Sequence, residues 1–173
     1  LGMALLSKRL NTGILGQVIA GLTFCMGGAL VARAGFISMI YTVVWLPWVI
    51  LTASRIAFPI RDARQKTSNS AQASLILCLT FLFTAGHAQI AWYSLLLTSV
   101  WVFSGGWIQK NVKNAFAALG QLVLSAGCAA ILSSVQLFPT FEYLLQSQRS
   151  SSVDFDTAMT YSFWPWRFLT FLA

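Results

Sequence analysis

The chain has 173 residues, of which 57% are hydrophobic, 14% aromatic and 9% charged, with a mean hydropathy of +0.73. Soluble domains carry about 25% charged residues, so eleven basic and four acidic side chains cannot cover a water-exposed globule of this size. The same apolar, aromatic composition excludes a disordered chain, which leaves an integral membrane protein. The chain starts at Leu1 and stops at Ala173, just after the apolar run Phe168 to Leu172. We therefore expect an internal piece of a longer protein.

One membrane crossing needs about 20 mainly apolar residues. Four windows lack charge: Leu10 to Ala32, Ala34 to Ser54, Thr67 to Gln109 and Asn114 to Phe141. The third is too long for one helix, and Ala85-Gly86-His87-Ala88-Gln89 in its middle reads as a turn. The fold class is thus all-α, a polytopic membrane helix bundle with spans near 12–32, 36–54, 71–85, 89–107 and 116–138. Helices are required because an open strand in lipid leaves backbone groups unpaired, and no strand-like alternation is present.

Lys8 and Arg9 precede the first span, whose window is too long for a signal-peptide core. Small residues four apart, Gly16/Ala20 and Gly21/Cys25, predict close helix approach there, as do Ala126/Ala130 in the fifth span. Pro47 is expected to kink the second span. Cys25, Cys78 and Cys128 lie within spans, without metal-type spacing, and read as buried small hydrophobes. No phosphate loop, nucleophile elbow or HExxH motif occurs.

Lys and Arg set sidedness. With the Lys8/Arg9 end cytoplasmic, segments 55–70 and 108–115 fall on the same side, collecting Arg55, Arg61, Arg64, Lys66, Lys110 and Lys113. Arg33, Arg149 and Arg167 stay outside with Glu142, Asp154 and Asp156, whereas Asp62 lies inside. The net charge of +7 then serves the bilayer surface rather than a nucleic acid. Residues 1–138 form the bundle. Residues 139–173 form an extracytoplasmic interfacial helix and loop leading to a further span.

Polar chemistry gathers on the expected outer face. His87 and Gln89 occupy the turn between the third and fourth spans, where His87 either caps a helix or meets substrate in a wet recess. Gln136 closes the fifth span, and Pro139 suits the first turn of a short interfacial helix over 139–147. Glu142 falls in that first turn, where the helix dipole favours a carboxylate. In the polar loop beyond, Arg149 offers a planar fork for phosphate, and Asp154/Asp156 form a weak Asp-x-Asp candidate for a divalent metal. The tail Tyr161-Ser-Phe-Trp-Pro-Trp-Arg167 reads as an aromatic belt, with Trp164 and Trp166 also suited to stacking on a sugar ring.

Several landmarks occur in a fixed order: Lys8-Arg9-Leu10 before a Gly/Ala-rich span, Gly21 to Gly28 ending Phe-Cys-Met-Gly-Gly, and Trp45-Leu46-Pro47. After them come Ala85 to Gln89, Gln136-Leu-Phe-Pro139-Thr-Phe-Glu142, Ser147-Gln-Arg149 and Ala158 to Pro165 around Tyr161. In this order they resemble the YfhO family of bacterial multi-spanning membrane proteins, along essentially the whole chain. Ala88 replaces the proline usual in that family's Gly-His-Pro-Gln turn, and Trp164 interrupts its Leu-Pro-Pro.

The resemblance implies a glycosyltransferase of the GT-C superfamily in the bacterial plasma membrane. Its donor would be a polyprenyl-phosphate sugar and its acceptor a cell-envelope glycan such as a teichoic acid. It also implies that the main catalytic acid lies upstream of residue 1. His87, Gln89, Gln136, Glu142, Arg149 and Tyr161 are then substrate-binding candidates. Two rival readings are a transporter or flippase of lipid-linked intermediates and a non-catalytic envelope assembly protein. Transporters place polar groups near the bilayer midplane, and here the mid-span regions offer Gln17 and scattered Ser or Thr.

Overall fold

The computed structural model describes residues 1–58, 66–108 and 112–146, and every regular element among them is helical. Helix α1 spans Gly2–Arg9, α2 Ile14–Cys25, α3 Gly28–Ala32 and α4 Ile37–Ala57. Then follow α5 (Lys66–Thr84), α6 (Ala88–Ile108), α7 (Val112–Leu132) and α8 (Ser134–Gln146). The chain divides into two compact units, Leu1–Leu137 and Phe138–Ala173.

Three segments, Ile14–Ala32, Ile37–Ala57 and Val112–Leu132, are long and apolar enough to cross a membrane. The apolar part of α5, Asn69–Thr84, is shorter. Helix α6 matches α4 in length at 21 residues, but Gln89, Trp92, Tyr93 and Ser94 dilute its hydropathy. The fourfold division into apolar helices α4 to α7 follows the uncharged windows closely.

Side-chain contacts fix the register of the first unit. Helices α4 and α5 run antiparallel, with Trp45 stacked on Phe81 at 4.7 Å. Helix α6 runs parallel to α4, since the Trp101 indole reaches Ser54 and Phe58 packs on Gly105. Helix α7 runs parallel to α5: Gln72 Nε2 donates to Ser125 Oγ at 2.7 Å, and Ser133 Oγ donates to the Thr80 carbonyl at 3.3 Å. Helices α6 and α7 approach closely where Gly106 lies against Ala115 and Phe103 is set edge-on to Phe116.

Helices α5, α6 and α7 each bury one stripe at helical spacing, whereas α4 is buried on all sides from Val49 to Ser54. On α5 the stripe is Ala71, Leu75, Leu79 and Leu82; on α6 Ala91, Ser94, Thr98 and Val102; on α7 Ala118, Leu122, Ser125 and Ala129. The opposite faces are equally apolar yet exposed, as at Val100, Val123 and Ile131. A helix that is hydrophobic all round but packed on one side suits lipid as the second solvent. Six buried hydroxyls bond within their own helix: Thr42, Thr52, Ser54, Ser94, Thr98 and Ser125 each donate to the carbonyl four residues back. Among the described residues no buried side-chain nitrogen or oxygen lacks a partner.

The N-terminal region departs from expectation. Residues 2–9 form a helix that lies along the second half of α4, with Leu6 against Ile50 and Leu51. Asn11, in the left-handed region at φ 61°, turns the chain back so that α2 packs on α1. The first span breaks at Met26–Gly27 into α2 and α3, and its apolar window has no buried residue. Of its small residues Gly21 faces Ala4 of α1, whereas Thr12 occupies the space beside Gly16, and Cys25 is exposed rather than buried. Cys78 is buried and Cys128 half-buried. Small residues permit close approach, but a second long helix must arrive to use it.

A second difference lies after α7. The fifth span ends at Leu132, and α8 begins at Ser134, so Pro139 sits inside α8 rather than in its first turn. The proline ring removes the donor to the Val135 carbonyl. No residue of α8 is buried, so an interrupted ladder there is accessible to solvent.

Candidate functional site

The α5–α6 turn is built by Gly86 at φ 85°, a conformation in which a Cβ is strained. His87 follows as the N-cap of α6: its Nδ1 accepts from the Ile90 amide at 3.3 Å, while its carbonyl accepts from the Ala91 amide. Of the two readings of His87, the structure displays the capping one. Gln89 is exposed and donates through Nε2 to the Tyr93 hydroxyl at 2.9 Å, one turn along the same helix.

Because α5 and α7 are parallel, the end of α7 comes to the same end of the bundle as this turn. Ser133 is tied to Thr80 there, and the exposed Gln136 bonds its amide to the Ser133 carbonyl. The structure thus gathers His87, Gln89 and Gln136 at one end of the first unit. Glu142 belongs to the second unit and is exposed on α8. Arg149, Tyr161, Asp154 and Asp156 lie outside the described residues. Among the described residues no three His, Cys, Asp or Glu side chains converge as metal ligands.

The opposite end of the same unit holds Lys8, Arg9 and Arg55, whereas Arg33 precedes α4 at the His87 end. Lys8, Arg9 and Arg55 line a recess of about 620 Å³ between α1, α4 and α6, with walls from Leu51, Phe58 and Trp101. One Arg9 nitrogen donates to two carbonyls, Ser54 at 2.9 Å and Phe58 at 2.6 Å, and so closes the C-terminus of α4. Partial burial, and secondarily the nearby Arg55, lower the Arg9 pKa from its ordinary value. A guanidinium nevertheless stays cationic. Sequence reasoning placed these charges on one side but missed the recess. The signal was the helical spacing of Leu5, Lys8 and Arg9 before the first span.

No family model, curated protein or solved structure matches this chain. The YfhO resemblance accordingly stands on the ordered landmark residues alone.

Proposed function

We propose that the chain contributes its spans to a multi-spanning membrane glycosyltransferase that uses a polyprenyl-phosphate sugar on the extracytoplasmic side and a cell-envelope glycan as acceptor. The observation that supports this reading is the division of the bundle into two chemically distinct ends. Lys8, Arg9, Arg55 and Lys113 lie at the ends of α1, α4 and α7 that meet at one pole. His87, Gln89 and Gln136 lie at the other. An excess of cations favours the cytoplasmic side, so in this reading the hydrogen-bonding group faces outward, with Arg33 as a cation at its end of the bundle.

Transfer from a lipid phosphate needs a carboxylate near the acceptor hydroxyl and donors on the departing phosphate. In this reading His87, Gln89 and Arg149 are the candidates for the phosphate or sugar, and Gln136, Glu142 and Tyr161 are further substrate-binding candidates. The buried hydroxyls of the spans are bonded within their own helices, which disfavours a midplane transport path.

Membrane vesicles carrying the protein should move labelled sugar from polyprenyl phosphate to an envelope polymer. Arg149→Ala should abolish that transfer while the protein stays inserted. Full activity in the variant removes Arg149 from the site, and no transfer by the unaltered protein overturns the assignment. In a background without native cysteines, Lys113→Cys should react only from the cytoplasmic side and Ala88→Cys only from outside.

A further inference from the structure

We propose that the recess between α1, α4 and α6 binds the headgroup of an anionic phospholipid on the basic side of the bundle. The inference rests on the membrane reading but not on sugar transfer. Three cations, Lys8, Arg9 and Arg55, line one cavity. The acidic side chain among the described residues is Glu142, which belongs to the other compact unit.

Two of the cations repel each other, as the effect of Arg55 on Arg9 records. Arg9 is moreover held in place by the α4 carbonyls and cannot swing away to water without opening that helix end. A cation held in place beside further cations favours an anion among them.

The form of the cavity selects the anion. At about 620 Å³, with Leu51, Phe58 and Trp101 as walls, it exceeds what a phosphate ion fills and offers apolar surface beside the charge. A lipid supplies both halves: a phosphodiester for the cations and the first part of an acyl chain for the walls. Helix α2, which packs on α1 and has no buried residue, presents a continuous apolar surface leading away from the recess. Basic pockets between transmembrane helices on the cytoplasmic side recognise anionic headgroups in this way.

The test is native mass spectrometry of the detergent-solubilised protein equilibrated with equal amounts of phosphatidylglycerol and phosphatidylcholine. The unaltered chain should retain phosphatidylglycerol in preference. Lys8→Gln with Arg55→Gln spares the Arg9 bonds and should weaken that preference about 25-fold, the equivalent of two charges near an anionic surface. If the double variant does not fold, the exposed Lys8→Gln alone should lower it about fivefold.

Lys113→Gln, at a position outside the recess lining, should leave the preference unchanged. Excess inorganic phosphate should not displace the lipid. Equal retention of both lipids, an equal effect of Lys113→Gln, or displacement by free phosphate would each overturn the proposal. None of these results touches the membrane assignment, which sedimentation with vesicles reads separately.

Discussion

Trp101 Nε1 donates to Ser54 Oγ across 2.9 Å, and that hydroxyl in turn donates to the Ile50 carbonyl at 2.6 Å. One serine therefore links α6 to α4 at the level where α1 also packs. Hydrogen bonds between membrane helices contribute about 0.6 kcal/mol on average. A double-mutant cycle of Trp101→Phe and Ser54→Ala, read by unfolding in mixed micelles, should give a coupling of about that size. Strictly additive effects would show that the indole contributes only its packing.

Arg9 should matter more. Its side chain closes the last turn of α4 with charge-assisted bonds to two carbonyls, and such bonds contribute about 1.5–3 kcal/mol. Arg9→Leu is expected to destabilise the fold by about 2 kcal/mol. Arg9→Lys should recover part of this, because an ammonium keeps the charge but not the planar fork. The same unfolding measurement decides, and equal loss in both variants would point to packing of the side-chain stem instead.

Two glycines should respond with opposite sign. A Cβ on Gly106 would run into Ala115 where α6 meets α7, whereas one on Gly120 meets nothing within 4 Å. Gly106→Ala should therefore cost about 1–3 kcal/mol. Gly120→Ala, in the interior of α7, should stabilise by about 0.5–1 kcal/mol through helix propensity and the restricted unfolded chain. Identical shifts in unfolding midpoint would mean that the α6–α7 approach is looser than the structure has it.

The legibility of this fold in its sequence follows the same physics. Uncharged windows bounded by Arg55, Lys66 and Lys113 reveal α4, α5 and α7 because lipid penalises every charge along a span. The turn at Gly86-His87 is legible because glycine alone adopts that backbone cheaply. The break at Met26–Gly27 is not, since glycine serves equally for packing, for a turn or for a helix start. Nor is the place of α1: its short, half-apolar sequence gains a helix only by lying on Ile50 and Leu51, a tertiary contact with no local signature. At the candidate site, residue types were readable, but the partner of His87 was not. A histidine after a glycine caps a helix or faces a ligand by geometry that its neighbours in sequence do not express.

His87 gives the clearest separation between structure and activity. Its Nδ1 satisfies the Ile90 amide, one of the four amides that a helix start leaves without a partner inside the helix. His87→Ala should lower stability by about 1 kcal/mol, and His87→Asn, a side chain well suited to that position, should restore it. If the imidazole does nothing else, the asparagine variant will also keep full sugar-transfer activity. The proposed role on the outer face demands the other outcome: a protein with normal stability and insertion but reduced transfer. Measuring unfolding and transfer on the same preparations of both variants distinguishes the two. Full transfer in the asparagine variant would confine His87 to capping and leave Gln89 and Gln136 as the candidates at that end of the bundle.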